Sequence, residues 1–409
     1  MKFFLLYIDP GTGSALFSIL IGVVATLYFL SRALILKIKV ILADSSILSI
    51  STTTNSYVIY NEGKQYSNVF LPVIREFEER KINLSYLTSS EDDPILKEQY
   101  NFIKSEFIGE GNKAFSKLNL IKANVVLMTT PGLDVYQLKR SKGVKHYAHL
   151  LHATNDATLY RLFGIDYYDS ILLTADYQAK DIKSLEEKRG LPSKQLITIG
   201  CSYLDVFTEK INQIPKENNH SFTVLVSPSW GTSSILSRYG EKLLDHLSET
   251  GFKIIIRPHP QSKKSESNLL EKLHKKYNNN LCFEWDYETE NIYSLSRADI
   301  MISDFSGIIY DYIFLFDKPV IYVKQNLDLR PYDAYDLYEN AIEELWQFKT
   351  LKEIGIELKE EDFPNIRQII ENASDSEELR VARKKAKDTA WQYQGEAGKR
   401  IADFLLSIA

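Results

Sequence analysis

An arginine and a histidine follow one apolar run in the second half of the chain. Residues 252–257 (FKIIIR) are typical of a strand, and the run ends in Arg257-Pro258-His259-Pro260. The prolines stop the strand and hold Arg257 and His259 at its carboxyl end, where α/β sheets bind ligands. A guanidinium binds phosphate oxygens through paired N–H groups, and an imidazole N–H donates to another. The pair therefore predicts a phosphate site, whereas either residue alone is more typical of an ordinary surface or loop position.

A turn rich in helix-capping residues lies between two further strand-like runs, 299–303 and 318–323. The turn, residues 303–307, reads SDFSG, and apolar residues follow it at helical density. Such a turn presents unpaired backbone N–H groups and the positive end of a helix dipole to an anion. A plain capped helix is the alternative. Because the RPHP turn ends another predicted strand upstream in the chain, we interpret Ser306 and Gly307 as phosphate-binding.

Two aspartates flank this turn and are further candidates for the same site. Asp311 follows Asp304 by seven positions, so both can lie on one face of the turn and helix. We expect Asp311 to bind a hydroxyl of the ligand, with a solvated helix surface as the alternative. The acidic residues at 286–290 (DYETE) are interpreted as a solvated loop, and no residue cluster predicts a metal site.

These motifs resemble the CDP-glycerol glycerophosphotransferases, the family of teichoic-acid polymerases and primases. The family pattern is an HP motif, then D-[YF]-S-[SG], three residues and D, then an aromatic and apolar run ending in K-P. The matching residues are His259, Asp304, Ser306, Gly307, Asp311, Lys318 and Pro319. The resemblance implies an α/β GT-B fold, in which two Rossmann-like domains face a cleft. It also implies transfer of an alditol phosphate from a CDP-alditol substrate, with no cofactor.

Two shorter segments extend the resemblance to roughly residues 146–323. Residues 200–205 (GCSYLD) match the family's G-x-P-x-x-D, with Ser202 in place of proline. Residues 227–231 (SPSWG) resemble its A-P-T-W, which implies that Ser229 approaches the donor pyrophosphate. A strand-end turn explains Ser229 equally well.

The candidate catalytic base is His152, which lies where the family has W-H-G-T-P-L-K. The resemblance implies that its imidazole takes a proton from the attacking hydroxyl, as a histidine can near neutral pH. This chain departs from the family at Leu151, Ala153 and Asn155. A core histidine is the alternative interpretation of His152, as it is of His146 and His149.

Length and composition are those of a globular protein with about two domains. The chain has 409 residues, a net charge of −5 and no basic stripe interleaved with aromatics, which argues against a nucleic-acid partner. Cys201 and Cys282 fall in different predicted domains, so no disulfide framework is expected.

The first forty residues predict a membrane anchor. Residues 10–31 carry no charge, and Arg32, Lys37 and Lys39 follow. We expect a leader at 1–13 and a transmembrane helix at 14–38, with the rest of the chain cytoplasmic by the positive-inside rule. A cleaved signal peptide is the alternative, but the basic flank is on the wrong side for one.

Alternating strand-like and helical stretches predict two Rossmann-like domains. An acceptor domain is expected at 44–212, a nucleotide-binding domain at 218–350, and helices that pack back on the first domain at 365–409. The expected strands of the first domain are 57–60, 83–88, 125–129, 146–151, 170–174 and 195–199. Residues 371–409 read as helix, with a solvated face that includes Arg383.

The sequence leads to one functional hypothesis and two alternatives. The first is a membrane-anchored transferase that moves glycerol phosphate, or another alditol phosphate, to a hydroxyl of a lipid-linked surface polymer and releases CMP. The second is a nucleotide-sugar glycosyltransferase or epimerase of the same fold, since fold does not determine the donor. The third is a non-catalytic membrane scaffold.

Overall fold

The computed structural model describes residues 21–32, 34, 55–215, 221–288, 290–325 and 327–408. Residues 21–32 are helical. The leader at 1–13 and much of the expected transmembrane helix at 14–38 lie outside the described residues. Within the described ranges, no helix combines the length and the apolar composition that a bilayer span requires.

The first domain is a parallel α/β domain. Its strands are β1 (Asn55–Asn61), β2 (Leu84–Thr88), β3 (Ile103–Phe107), β4 (Lys122–Met128), β5 (Gly143–Leu150), β6 (Ser170–Leu173) and β7 (Gln195–Thr198). Its helices are α1 (Ser67–Glu79), α2 (Asn112–Leu118), α3 (Gln178–Arg189) and α4 (Ser202–Ile211). The strands form one sheet in the order β3-β2-β1-β4-β5-β6-β7, and every pair is parallel.

The second domain repeats this plan after residues 216–220. Its strands are β8 (Thr223–Val226), β9 (Lys253–Ile256), β10 (Phe283–Trp285), β11 (Ile300–Ser303), β12 (Val320–Tyr322) and β13 (Gly355–Glu357). The helices from here to the C-terminal end are α5 (Ile235–Ser248), α6 (Ser262–Ser265), α7 (Ser267–Tyr277), α8 (Ile292–Arg297), α9 (Ile308–Phe316), α10 (Ala334–Tyr338), α11 (Trp346–Ile354), α12 (Ile366–Asp375), α13 (Glu377–Ala390) and α14 (Ala397–Ser407). The parallel sheet has the order β10-β9-β8-β11-β12-β13. Short 3-10 segments are found at Lys64–Tyr66, Pro94–Lys97, Ala157–Leu159, Ile342–Glu344 and Glu360–Asn365.

The strand order explains where ligands can bind. In the first sheet the order reverses between β1 and β4, and in the second between β8 and β11. Connections leave in opposite directions on either side of such a point, which opens a crevice at the carboxyl ends of the two strands. The turns after β8 and β11 therefore lie side by side. They are the turns that contain Ser229 and Ser306.

The strands predicted from the sequence are observed within one to three residues at each end. The central strands are buried on both faces, as in β6, so their sequences are continuous apolar runs, whereas β7 at one edge of the sheet is partly exposed. The edge strand β3 was not predicted, because its sequence IKSEF is largely polar and only Ile103 is buried. The three-residue β13 was missed as well.

The C-terminal region differs from the single helical stretch expected at 371–409. Ser376 interrupts it, and its Oγ caps α13 by accepting from the Leu379 amide at 3.3 Å. Residues 391–396 form a second break before α14. The prediction of a solvated Arg383 was wrong. Its side chain is buried and forms an ion pair of 3.2 Å with Asp317.

Helix α14 lies against the first domain. Its apolar face, which includes Ile401 and Leu405, joins the core formed by α1 and the sheet. The two helices approach closely at Gly398, where a Cβ would lie 2.7 Å from the backbone oxygen of Pro72. A residue with a side chain at this position would therefore separate α14 from α1.

Candidate active site

The N-terminus of α9 lies at the reversal of strand order in the second sheet. The helix begins at Ile308, Gly307 is its N-cap residue, and no side chain of the described residues caps it. Ser306 and Gly307 are both partly exposed. The structure thus gives this turn the partly open helix N-terminus that an anion site requires.

Asp304 holds the two neighbouring turns together. Its carboxylate is fully buried and accepts hydrogen bonds from the amides of Ser229, at 2.9 and 3.1 Å, and Ile235, at 3.2 Å. Burial raises the pKa of Asp304 above its usual value. The expectation that Asp304 faces a donor was wrong, since both oxygens are bonded to the protein backbone and none of the side chain is exposed. Its role is to position Ser229 beside α9.

Arg257 lies at the end of β9 in a buried ion pair with Asp286, and its other terminal nitrogen donates to the Glu288 carbonyl at 2.8 Å. The interpretation of 286–290 as a solvated loop was wrong at Asp286, which is buried. Burial alone would raise the pKa of Asp286, but hydrogen bonds from Ser294, the Glu288 amide and Arg257 outweigh it and hold the pKa below its usual value. The contact of Arg257 with phosphate stays a prediction, and the ion pair fixes where its guanidinium lies.

His259 follows on the same turn with one nitrogen already bonded. Its Nδ1 accepts from the Gln261 amide at 3.1 Å, so in the neutral ring the proton is on Nε2. Burial lowers the pKa of His259, and Glu266 partly opposes that shift. At pH 7 the neutral His259 therefore has an Nε2–H group available to donate to a phosphate oxygen.

His152 lies just beyond β5, beside a cavity of about 130 Å³. Its ring packs edge-on against Tyr66, at a centroid distance of 4.9 Å, and against Tyr160, at 6.4 Å. Burial lowers the pKa of His152 to about 4, and its Nδ1 has no hydrogen-bond partner among the described residues. The imidazole is therefore neutral at pH 7, the form that accepts a proton.

His149 lies deeper on the same strand. It is fully buried between Tyr160 and Tyr168, and burial lowers its pKa to about 3. Neither ring nitrogen has a partner within the described residues. His149 is therefore a core residue, and His152 is the histidine of this segment that borders a cavity.

The loop that carries His152 contacts the second domain directly. A Cβ at Gly307 would lie 3.0 Å from Nδ2 of Asn155. The next residue, Asp156, accepts hydrogen bonds of 2.9 Å from the amides of Trp346 and Gln347 at the start of α11. Sequence reasoning missed both contacts, since Asn155 was noted only as a departure from the family. Together they place the loop that carries the candidate base against the candidate anion site.

A second interdomain contact is formed by Arg189. Its guanidinium bonds Asp166 of the first domain and Asp333 and Asp336 of the second, at 2.6 to 2.8 Å. Asp333 also accepts from the Phe163 amide at 2.7 Å. The loop after His152 is therefore held to the second domain near both of its ends, at Asp156 and again at Phe163 and Asp166.

Asp311 lies where α9 meets α4. Burial raises its pKa to about 7, with the hydroxyl of Tyr203 opposing the shift. Asp311 is only partly exposed and lies against a second helix, so it differs from the fully solvated helix position considered as the alternative. Binding of a donor hydroxyl stays a prediction.

Residues 208–407 match the sequence profile of the CDP-Glycerol:Poly(glycerophosphate) glycerophosphotransferase family. Over these residues, which are just under half of the chain, the sequence is similar to that family. The match identifies a CDP-glycerol glycerophosphotransferase-like enzyme, and it confirms the resemblance seen in the motifs. A comparison with curated proteins gives no match.

Solved structures show that the glycerophosphotransferase-like chain has the fold expected from its motifs. The wall teichoic acid polymerase TagF is 14% identical, with a TM-score of 0.57 over 93% of this chain and 96% of that one. UDP-GlcNAc 2-epimerase of Methanocaldococcus jannaschii is 13% identical, with a TM-score of 0.53 over 86% and 100%. S. aureus MnaA, solved with UDP, is 12% identical, with a TM-score of 0.55 over 87% and 98%. At these identities the likeness concerns the fold, which is similar to GT-B.

Proposed function

We propose that this enzyme transfers glycerol phosphate, or a related alditol phosphate, from a CDP-alditol to a hydroxyl of a lipid-linked surface polymer, with release of CMP. The observation that carries the proposal is the contact between the His152 loop and the N-terminus of α9. It places the loop that carries the neutral His152 imidazole against the N-terminus of α9. The similarity of residues 208–407 to the family supports the choice of donor.

The donor would lie with its pyrophosphate across the turns after β9 and β11. The Nε2–H of His259 and the backbone N–H groups at Ser306 and Gly307 would bind its oxygens, and Arg257 would add positive charge. These groups are already in position before the reaction. Electrostatic stabilisation of a transferring phosphoryl group is most effective when the stabilising groups are preorganised in this way. The cytidine half of the donor would leave as CMP.

The acceptor hydroxyl would enter from the first domain. Its oxygen attacks the phosphorus that bears the alditol while His152 takes its proton. A new P–O bond forms to the acceptor, and the P–O bond to CMP breaks. The low pKa of the ligand-free His152 makes it a weak base, but a bound pyrophosphate next to the ring favours the imidazolium and raises that pKa.

A donor screen tests this proposal. The full-length enzyme in membranes is incubated with CDP-glycerol, CDP-ribitol and UDP-GlcNAc, and released nucleotide is measured. We expect CMP from a CDP-alditol and no UDP. Release of UDP would favour the glycosyltransferase or epimerase alternative, and donor binding without turnover would favour the scaffold alternative.

The membrane part of the proposal depends on the sequence. The uncharged run at 10–31 and its basic carboxyl flank support a single-pass anchor with the two domains in the cytoplasm. Deletion of residues 1–39 should leave a folded enzyme that no longer sediments with membranes. Continued tight association of the truncated enzyme would contradict the anchor and indicate another membrane-binding surface.

A further inference from the structure

The side chain of Asn155 crosses from the first domain to the start of α9. Its Nδ2 is the atom that a Cβ at Gly307 would meet, at 3.0 Å, and its Oδ1 is farther away, at 3.8 Å. The Asn155 amide group has no hydrogen-bond partner among the described residues, and it is only partly buried. A neutral group with two N–H donors thus lies over the uncapped helix N-terminus.

The backbone around Asn155 is held from several sides, so the side chain is directed. Gln178 Nε2 donates to the Asn155 carbonyl at 2.8 Å, and the Tyr177 hydroxyl donates to the Thr154 carbonyl. Asp156 is bonded to the amides of α11. The loop backbone is therefore preorganised, and little backbone entropy remains to be lost when Asn155 binds a ligand.

Ser229 is a second polar group at the same place. It is only 7% exposed, its amide is bonded to Asp304, and its Oγ has Asp304 as a polar neighbour but makes no hydrogen bond of good geometry among the described residues. Buried hydroxyls are nearly always hydrogen-bonded in folded proteins. A buried Oγ without a well-formed hydrogen bond, beside the open N-terminus of α9, favours a polar ligand at this site.

We propose that Asn155 is a donor-binding residue, whose side-chain N–H group donates to a phosphate oxygen held at the N-terminus of α9. The donor phosphate would then be bound by both domains at once, on the same loop that carries His152. This inference rests on the proposed function for the identity of the donor, and it explains why residue 307 has no side chain. The competing role for Asn155 is a helix cap, in which Oδ1 accepts from the α9 amides.

Substitution of Asn155 by aspartate distinguishes the two roles, because an aspartate would strengthen a helix cap but weaken a phosphate site. In a cap, the introduced carboxylate would accept from the amides and favour the helix dipole, so Asn155→Asp should raise the thermal unfolding midpoint. In a phosphate site, the same carboxylate would repel the ligand and has no N–H to donate. Asn155→Asp should then weaken ligand binding without raising that midpoint.

The experiment uses the full-length chain and isothermal titration with CDP-glycerol and, separately, inorganic pyrophosphate. Asn155→Ala should weaken binding of both by roughly 10- to 100-fold, the range for one hydrogen bond to a charged group. Asn155→Asp should weaken it further. Asn112→Asp, which adds the same charge at an exposed residue next to the far edge strand β3, is the matched control and should bind as wild type.

The outcomes are distinct. Wild-type-like binding with a raised unfolding midpoint in Asn155→Asp would overturn the inference in favour of a helix cap. If the wild-type protein binds pyrophosphate but not CDP-glycerol, and Asn155→Ala weakens the binding of pyrophosphate, the result would support the inference and contradict the proposed donor. Binding of neither ligand by the wild-type protein would overturn both.

Discussion

Asp156 of the first domain caps the helix that begins at Trp346 of the second, through a hydrogen bond of 2.9 Å from the Trp346 amide. Burial raises the pKa of this carboxyl to about 6, although two amide hydrogen bonds oppose the shift. The loop that carries His152 is therefore joined to the second domain by a group that holds its proton more tightly in the folded protein than in the unfolded chain.

That difference gives Asp156 a predictable effect on stability. Because its pKa is raised in the folded protein, Asp156 makes its full contribution to the free energy of unfolding below about pH 4. That contribution is lost as the pH rises to about 6. The loss amounts to about 3 kcal/mol for a shift of this size. Asp156→Asn stays neutral, so its thermal unfolding midpoint should change less than that of the wild type between pH 4 and pH 7. Asp388→Asn, at an exposed position of α13, is the control, and a wild-type slope in Asp156→Asn would contradict the assignment.

Substitution of His152 tests the candidate base. His152→Asn keeps much of the size of the ring but cannot take a proton, so turnover should fall roughly 100- to 10,000-fold while donor binding is retained. The acidic limb of the kcat/KM profile, expected near pH 4 from the pKa of the ligand-free His152, should disappear.

His149→Asn is the matched control for that experiment, because His149 is buried on the same strand and borders Tyr168 instead of the cavity. It should lower the unfolding midpoint and leave the acidic limb in place. Near-normal turnover in a stable His152→Asn variant would rule out the base assignment.

Substitution of Arg257 separates an ion pair from a phosphate contact. Arg257→Ala leaves the buried Asp286 without its charged partner, which should cost roughly 3–5 kcal/mol of stability. Replacing both residues in Arg257→Leu/Asp286→Leu should restore much of the unfolding midpoint. If Arg257 also contacts phosphate, this double variant should still bind CDP-glycerol more weakly than the wild type in an isothermal titration.

His259→Ala is the companion to the Arg257 variants. His259 is bonded within its own turn and has no ion-pair partner in the described part of the chain, so its loss should weaken donor binding with little change in unfolding midpoint. Wild-type donor affinity in both the double variant and His259→Ala would contradict the phosphate site at this turn.

The close approach at Gly307 predicts a non-additive pair of substitutions. Gly307 has φ −57°, which alanine also adopts, so Gly307→Ala should act through its contact with Asn155 and not through backbone strain. Displacement of Asn155 should weaken CDP-glycerol binding. In an Asn155→Ala background, Gly307→Ala should then have little further effect, as a double-mutant cycle on donor affinity would show. Additive losses would mean that Gly307 and Asn155 act independently.

The parallel α/β architecture could be predicted because a strand buried on both faces has a continuous apolar sequence. The runs that became β6, β9 and β11 show this pattern clearly. Edge strands escape the same reasoning, since one side and often one face of an edge strand meets water, and the polar sequence of β3 gives no signal.

The site could be predicted only where its residues are close in sequence. The turns at His259 and Ser306 could be identified because strand, turn and helix are consecutive. The pairs that complete the site join residues far apart in the chain, such as Asp156 with Trp346 and Asn155 with Gly307. A single sequence has no local pattern that records such contacts, and for the same reason it placed Asp286 in solvent.

Helix α14 has a consequence for how the protein is made. The first domain precedes the second in the chain, but one part of its core is supplied by Ile401, Leu405 and their neighbours, which are translated after the second domain. Until these residues leave the ribosome, the side of α1 that α14 covers near Pro72 in the folded protein is exposed. The first domain is therefore completed only after the second has been translated, and a chain that lacks α14 would present that side of α1 to chaperones and to other chains.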